Sequence, residues 1–158
     1  VESNAFDGLR AFISVHHVIG IILLRLGHWA VAIAEDGELV DTKTGSRYVK
    51  SQHKKGGQSS NRFRRGRVKW IRELFDQAGE IASARFGDYE GHIDFLSLGG
   101  DRVVLGNFLK RVKLPDGLGD RALPNRLAVD QPGRKALDSA VRDAWSYRVY
   151  ELSPADPQ

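Results

Sequence analysis

The sequence contains no cysteine and no methionine, and it has no long hydrophobic run. The absence of cysteine excludes disulfides, thiol nucleophiles and thiolate zinc sites, and it fits a reducing compartment, so we expect a cytoplasmic protein. The longest apolar run, residues 18–24, is shorter than the roughly 20 residues that span a bilayer, so we expect no membrane association. The missing methionine at position 1 indicates a segment trimmed from a longer chain.

The length and composition are those of one hydrophobic core. The chain has 158 residues, of which 41% are hydrophobic, and domains of roughly 100 to 200 residues are common. We therefore expect a single, monomeric domain over residues 1–158, with residues 1–17 as a helical extension. We expect no separate domain that reads stop codons or recruits partners.

Acidic residues are absent from residues 42–72, although this segment contains eleven Lys and Arg. The remainder of the chain has 13 basic and 20 acidic residues, a formal charge of −7. Positive charge concentrated in one segment favours a polyanion, because each neutralised phosphate releases condensed counterions. We therefore expect a nucleic-acid partner, and the alternative is a basic face that is only solvated.

Hydrophobic periodicity predicts strands in the first part of the chain. Residues 18–26 form a continuous aliphatic run, which is typical of a central strand covered on both faces. Asp36-Gly37 is a two-residue hairpin signal between two further extended runs. The predicted elements of this part are a short helix within 1–17 and strands over 18–26, 28–35, 38–43 and 47–50, which form an antiparallel meander.

A helical period begins after the loop at 51–60, and apolar residues then recur at three- and four-residue intervals as far as Phe86. Ser59, Ser60 or Asn61 is expected to cap this helix. Strands and helices then alternate, which predicts parallel βαβ units, over 92–98, 102–110, 126–129, 134–145 and 147–152. The predicted fold class is α/β, with a ribonuclease-H-like mixed sheet, an antiparallel N-terminal meander and flanking helices.

The tripeptide Gly56-Gly57-Gln58 lies in the acid-free segment, in the loop that precedes the long helix. Adjacent glycines allow the backbone to approach a ligand closely, and glutamine adds amide donors and an acceptor. The tripeptide alone is more typical of an ordinary flexible loop. Its context is more informative, because two lysines precede it and the pair Arg62-Phe63 follows it at the start of a basic helix.

The stretch 54–65, Lys-Lys-Gly-Gly-Gln-Ser-Ser-Asn-Arg-Phe-Arg-Arg, resembles the loop and following helix of the central domain of eukaryotic and archaeal class I release factors. The resemblance extends over residues 18–113 and includes the hairpin at 29–40 and the glycine-containing turn at 98–101. The chain is most similar to the Vms-like release factors, which are single-domain members of that superfamily associated with the rescue of stalled ribosomes.

The resemblance implies a codon-independent peptidyl-tRNA hydrolase that acts in ribosome rescue or quality control, with the large ribosomal subunit and peptidyl-tRNA as partners. It implies that Gly56, Gly57 and Gln58 enter the peptidyl transferase centre and promote hydrolysis of the ester between peptide and tRNA. The backbone N–H of Gln58 is the expected donor to the developing negative charge. No metal or other cofactor is expected. The cations expected to bind RNA are Lys54, Lys55, Arg62, Arg64, Arg65 and Arg67.

Two other functions fit the same features. One is endonucleolytic cleavage near the tRNA 3′ end, an activity attached to some Vms-like relatives, and the other is a non-catalytic RNA- or ribosome-binding module. Two-metal nuclease chemistry needs converging carboxylates, but strand 18–26 has none to join Glu73, Asp76 and Asp94. No two histidines have the i, i+4 spacing of a helical zinc site.

The aromatic residues divide into core and surface positions. Trp29 and Trp145 have apolar neighbours and are predicted to pack in the core. Trp70 lies beside Lys69 on the basic helix and is predicted to be interfacial. Phe63 is predicted to anchor the exit of the loop into the helix.

Overall fold

A computed structural model describes residues 7–8, 10–11, 13–49 and 58–146, with side chains from residue 61 onward in the last range. The backbone is helical at the described residues 7, 8, 10, 11 and 13. The regular elements that follow are β1 (Val18–Arg25), β2 (His28–Glu35), β3 (Glu38–Ser46), α1 (Gln58–Asp88), β4 (Phe95–Gly100), α2 (Arg102–Arg111), a 3₁₀ segment (Pro115–Arg121) and α3 (Arg134–Ala144).

The four strands form one mixed sheet in the order β3-β2-β1-β4. β1 pairs antiparallel with β2, β2 pairs antiparallel with β3, and β4 lies parallel to β1. The β2–β3 turn forms at Asp36 and Gly37 with φ of 49° and 88°, which is the backbone that a two-residue hairpin requires. The predicted α/β class, with a mixed sheet, an antiparallel meander and flanking helices, is confirmed, whereas the parallel βαβ units predicted after residue 92 do not form in the described residues, where β4 is the one strand of that part.

Both faces of the central strands are covered, which explains the continuous apolar run of β1. On one face, Ile22, Leu24 and Trp29 belong to a core that packs against α1 and α2. On the other face, Leu23 and Ala30 belong to a second core that packs against α3. Side chains alternate between the faces of a strand, and β2 places its large residues toward α1 and its alanines toward α3.

Two contacts fix the C-terminal half of α1 to the sheet. Arg85 Nη1 donates to Asp41 Oδ1 of β3 at 2.5 Å, and the Tyr89 hydroxyl donates to the Glu35 carboxylate of β2. This hydrogen bond raises the pKa of Tyr89 to about 12, because ionisation would place a phenolate beside the carboxylate. The C-terminal end of α1 is therefore tied to the sheet by side chains as well as by its apolar face.

Two of the predicted strands are wrong. The strand predicted at 47–50 is absent over 47–49, because β3 continues to Ser46 and its pairing closes with the Arg47 N–H donating to Gly27 O at 2.8 Å. The strand predicted at 126–129 makes only an isolated bridge between Leu127 and Gly99. It ends there because Gly100, at φ 117°, turns β4 into α2 and removes the partner strand.

Other predicted boundaries shift. The strand predicted at 92–98 is β4 at Phe95–Gly100, because the Asp94 carboxylate accepts the Val18 N–H at 2.8 Å in place of a backbone carbonyl. The predicted caps Ser59, Ser60 and Asn61 are already helical, since α1 begins at Gln58. The helices predicted at 102–110 and 134–145 are confirmed to within one residue. The predicted extended segment 147–152 lies outside the described residues.

Candidate nucleic-acid interface

The long helix α1 packs along only part of its length. It has 31 residues, which corresponds to about 46 Å at 1.5 Å per residue. Among its described side chains, none from 61 to 73 is buried, and the first buried one is Leu74. We call these thirteen residues the projecting segment. Ile71 within it is partly buried against the first core, so the part of the segment before Ile71 extends about 15 Å along the helix from the packed core.

The projecting segment is strongly basic. Its only acidic residue is Glu73, the last one, and its cations are Arg62, Arg64, Arg65, Arg67, Lys69 and Arg72. Arg65 and Lys69 are one helical turn apart, and like charges at this spacing destabilise a helix by about 0.2 to 0.5 kcal/mol per pair. This arrangement therefore works against helix stability, and a bound anion would offset the cost.

An open groove of about 530 Å³ runs along the projecting segment and reaches α2. Arg64, Arg65 and Arg72 line it from α1, and Arg111 lines it from α2. The groove also contains an exposed apolar residue, Val68. Groove cations thus come from two helices, and such a surface matches the spaced negative charges of a nucleic-acid backbone.

Carboxylates mark the end of this groove and are themselves paired. Arg111 donates through Nε and Nη2 to the two carboxylate oxygens of Asp76, at 2.7 and 2.8 Å. The hydrogen bond from Arg111 lowers the pKa of Asp76, and the nearby charge of Arg72 acts in the same direction. Asp76 thus stays ionised and holds Arg111 against α1, so that this cation is positioned at the groove.

Glu73 also lines the groove, and its carboxylate is paired as well. It forms ion pairs with Arg47, which follows β3, and with Lys69, one helical turn earlier at 3.9 Å. The pair with Arg47 ties the chain after β3 to α1. Glu73 and Asp76 are therefore engaged by arginine and lysine, and Asp94 accepts a backbone N–H from β1.

The predicted site residues fall in three groups. Arg62, Arg64, Arg65 and Arg67 all lie on the projecting segment, where they share one half of α1. Gln58 is the first residue of α1. The predicted residues Lys54, Lys55, Gly56 and Gly57 lie outside the described residues.

Sequence reasoning missed three cations of the groove as site residues. Lys69 and Arg72 lie in the acid-free segment and could have been included from their spacing with Arg65, since residues three and four apart share a helix face. Arg111 has no such signal, because it is distant in the sequence and reaches the groove only through the packing of α2 on α1.

The predictions that Trp29 and Trp145 pack in the core are confirmed, and the interfacial role of Trp70 stays a prediction. Trp29 is 2% exposed and lies in the first core, and Trp145 packs against the second core. Trp70 is partly exposed beside Tyr48 at the surface. Phe63 is 43% exposed on the projecting segment, and its role as an anchor for the loop stays a prediction.

A comparison with protein-family models matches residues 17–150 to acVLRF1, the Actinobacteria/chloroflexi VLRF1 release factor family. The chain belongs to this family. Membership in acVLRF1 makes the protein a release-factor-like domain. The matched range contains the groove and all of the predicted site residues.

Solved structures support the fold of the acVLRF1 chain. The crystal structure of archaeal translation termination factor aRF1 has 19% identity and a TM-score of 0.56, and the alignment covers 80% of this chain and 37% of that one. A structure described as an archaeal protein has 14% identity and a TM-score of 0.55, with 91% and 37% covered. The chain thus spans little more than a third of the length of these two proteins. No curated protein matches the sequence.

Two features are absent from the described part of this acVLRF1 chain. None of its helices combines the length and apolar character needed to cross a membrane. No three His, Asp or Glu side chains come together there in a group suited to a metal ion.

Proposed function

We propose that this protein is a codon-independent peptidyl-tRNA hydrolase that releases peptides from tRNA on stalled ribosomes, as a Vms-like release factor with a ribonuclease-H-like fold. Gly56, Gly57 and Gln58 form its catalytic loop in the peptidyl transferase centre. Lys54, Lys55 and the arginines of the projecting segment hold the surrounding RNA. Membership in a release factor family supports the reaction, and the position of Gln58 supports the choice of loop.

The single observation that carries this proposal is that Gln58 begins a helix whose described side chains from 61 to 73 include no buried one, and whose part before Ile71 extends from the core. A projecting tip can enter a narrow RNA-lined site, whereas a loop lying against the sheet cannot. The cations behind the tip, from Arg62 to Arg72, lie along about 15 Å of helix, so they accompany the loop into a polyanionic channel. Glu73, the first carboxylate after Gln58, lies at the far end of this segment.

The start of α1 also suits the chemistry. In the proposed reaction, water attacks the ester carbonyl carbon and gives up a proton, the bond from that carbon to the ribose oxygen breaks, and the leaving ribose oxygen takes a proton to become a hydroxyl. Negative charge develops on the carbonyl oxygen and then on the leaving oxygen. The first backbone N–H groups of a helix have no intrahelical acceptor and lie at the positive end of its dipole. The Gln58 N–H is thus suited to stabilise this charge.

The side chain of Gln58 has a second role in the proposal. Its amide orients the attacking water or excludes other nucleophiles, because it offers both donors and an acceptor. Ribosomal RNA and the terminal ribose of the tRNA supply the rest of the site. Orientation and preorganised donors together account for large rate effects without an acid–base side chain in the loop.

Release of a labelled peptide from ribosome–nascent chain complexes without a stop codon tests the proposal. Gln58→Ala is expected to reduce the release rate, because the side chain no longer orients water. Gly57→Ala is expected to abolish release, because a Cβ prevents close approach of the backbone. The matched controls are Gln131→Ala, at an exposed loop position, and Gly106→Ala, where a Cβ meets nothing within 4 Å.

The products separate the competing functions. Intact deacylated tRNA is expected, with the peptide released as a free carboxylic acid. A tRNA shortened at its 3′ end would mean endonucleolytic cleavage, and ribosome binding without turnover would mean a non-catalytic module. Undiminished release by both Gln58→Ala and Gly57→Ala would remove the loop from the mechanism.

The non-catalytic alternative is favoured by one specific observation, the groove that joins cations of α1 with Arg111 of α2. Such a groove needs no chemistry to bind RNA. The endonuclease alternative has weaker support, since Glu73 and Asp76 are held by arginines and Asp94 by the backbone of β1. Free metal-binding carboxylates would be needed for a two-metal cut.

A further inference from the structure

We propose that Tyr48 and Trp70 form a stacking site for an unpaired RNA base, on the side of α1. Tyr48 is 74% exposed, which makes it the most exposed large apolar side chain in the described part of the chain. Its ring centroid lies 6.3 Å from that of Trp70, with the ring planes tilted by 56°. The proposal rests on the proposed function only in taking RNA as the ligand.

The backbone around Tyr48 is held in place, so that its exposure is not that of a loose loop. The Arg47 N–H donates to Gly27 O at 2.8 Å, and the Arg47 guanidinium pairs with Glu73 of α1. Val49, on the other side of Tyr48, packs partly buried against the first core. Tyr48 is thus fixed at both neighbours while its own ring faces solvent beside Trp70.

Trp70 supports this position from the helix. A Cβ added at Gly66, one turn earlier, would lie 3.7 to 4.0 Å from the six-membered part of the Trp70 ring. The tryptophan thus lies along the helix surface over a residue that has no side chain. A base ring stacks on an exposed aromatic face. Tyr48 provides this exposed face, and Trp70 supports the Tyr48 ring from the helix.

The positive charge around Tyr48 and Trp70 favours single-stranded RNA as the ligand. Both aromatic residues lie in the acid-free range 42–72, and Arg67 precedes Trp70 by one turn of α1. Exposed rings interleaved with cations match the two features of single-stranded nucleic acid, namely unpaired bases and phosphates. A protein partner would instead need a contiguous apolar patch, about 800 Å² on each side for a stable complex. Here the exposed apolar residue Val68 lies between Arg67 and Lys69 in the sequence.

Two oligonucleotides of equal length and charge test the proposal. One is an unstructured RNA of about ten nucleotides, and the other has the same backbone with abasic sites. The wild-type protein is expected to bind the RNA about five-fold or more tightly than the abasic strand, since stacking contributes about 1 to 3 kcal/mol per base. A 2-aminopurine in the RNA is expected to be quenched on binding.

Tyr48→Leu and Trp70→Leu are expected to remove this preference and leave the salt dependence of binding unchanged. Tyr48→Phe is expected to retain the preference, because it keeps the ring. Phe95→Leu is the matched control, as an exposed aromatic residue in β4 outside the acid-free segment. Thermal unfolding of each variant establishes that the fold is intact.

Equal affinity of the wild-type protein for both strands, or no binding of either, would overturn the stacking proposal. So would an undiminished preference in Tyr48→Leu. If Tyr48→Leu weakens ribosome binding while the preference for bases persists, the surface contacts a ribosomal protein and the proposal is wrong. Gln58→Ala is expected to keep the preference, so a failure of the proposed hydrolysis would leave it intact.

Discussion

At the scale of single residues, Asp36 combines three functions at the β2–β3 turn. Its backbone adopts φ 49°, its Oδ1 accepts the His17 N–H at 2.8 Å, and its Oδ2 lies 2.5 Å from His16 Nδ1. The hydrogen bond from the His17 N–H and the pairing with His16 lower the pKa of Asp36. The same pairing raises the pKa of His16 above its ordinary value of 6.5. The hairpin turn thereby holds the residues that precede β1.

These two shifts predict a pH dependence of folding stability. A raised His16 pKa stabilises the folded state below pH 6.5, and this contribution is lost as the pH rises through the folded-state value. The lowered Asp36 pKa contributes above pH 3.8 and is lost as the pH falls through its folded-state value. In an NMR titration, Asp36→Asn is expected to return the His16 pKa toward 6.5. Asparagine tolerates the positive φ, so an unchanged His16 pKa would contradict the pairing.

Gly100 occupies a position that cannot hold a side chain. It has φ 117° at the end of β4, and a Cβ there would lie 2.1 Å from Leu24 O. Gly100→Ala is expected to lower the free energy of unfolding by about 2 to 5 kcal/mol, because backbone strain and overpacking add. Urea denaturation measures this change.

Gly106 is the matched control for that substitution. It lies within α2, and a Cβ there meets nothing within 4 Å. Gly106→Ala is expected to stabilise the protein by about 0.5 to 1 kcal/mol, through the higher helix propensity of alanine. Equal effects of the two substitutions would show that β4 tolerates a side chain at position 100.

At the scale of elements, the sequence predicts strands and helices where periodicity alone decides, and fails where a partner decides. The apolar run of β1 is visible in the sequence because this strand is buried on both faces. The helical period of α1 is visible because one face of the helix is buried at regular intervals. The pattern at 126–129 equally suits a strand. Only the turn of β4 at Gly100 reduces it to a bridge at Leu127. A non-local partner of this kind leaves no local signal.

The candidate site shows the same division. The arginines of the projecting segment are visible in the sequence as an acid-free run. The sequence does not show that this part of α1 leaves the core, because a basic face on a packed helix would have the same charge pattern. That no side chain of α1 is buried over residues 61–73 is a tertiary fact, as is the position of Arg111 against Asp76. The sequence therefore predicts the charge of the interface and not its shape.

The projecting segment predicts a separation of RNA binding from stability. Arg64→Gln combined with Arg65→Gln is expected to leave the free energy of unfolding within about 0.5 kcal/mol, since both side chains are exposed. The same change is expected to reduce the slope of log affinity for single-stranded RNA against log salt by about 1.5, because two phosphate contacts are lost. Fluorescence anisotropy at several salt concentrations measures the slope.

Lys135→Gln combined with Arg142→Gln is the matched control. Both residues are exposed on α3, which packs on the opposite face of the sheet from α1. This pair removes the same charge and is expected to leave the slope nearly unchanged. Equal slopes for the two double variants would mean that RNA contacts are spread over the whole surface.

At the scale of the whole molecule, charge is divided between two regions of opposite sign. Residues 42–72 contain eleven cations and no carboxylate, whereas the rest of the chain has an excess of seven acidic residues. Net charge alone, +4, conceals this separation. A molecule charged in this way orients in the field of a polyanion, so that its basic end approaches first. The acidic remainder disfavours binding in the reverse orientation.

Orientation of this kind predicts a kinetic effect that is separate from affinity. The association rate constant with ribosomes is expected to fall by about tenfold or more as ionic strength rises, because screening shortens the range of the field to about 10 Å at 0.1 M. Stopped-flow mixing with labelled protein at low and high salt measures it. Tyr48→Leu removes no charge, so it is expected to raise the dissociation rate alone, whereas Arg64→Gln with Arg65→Gln slows association. A salt-independent association rate would show that the charge separation does not steer binding, even if the groove contacts RNA once bound.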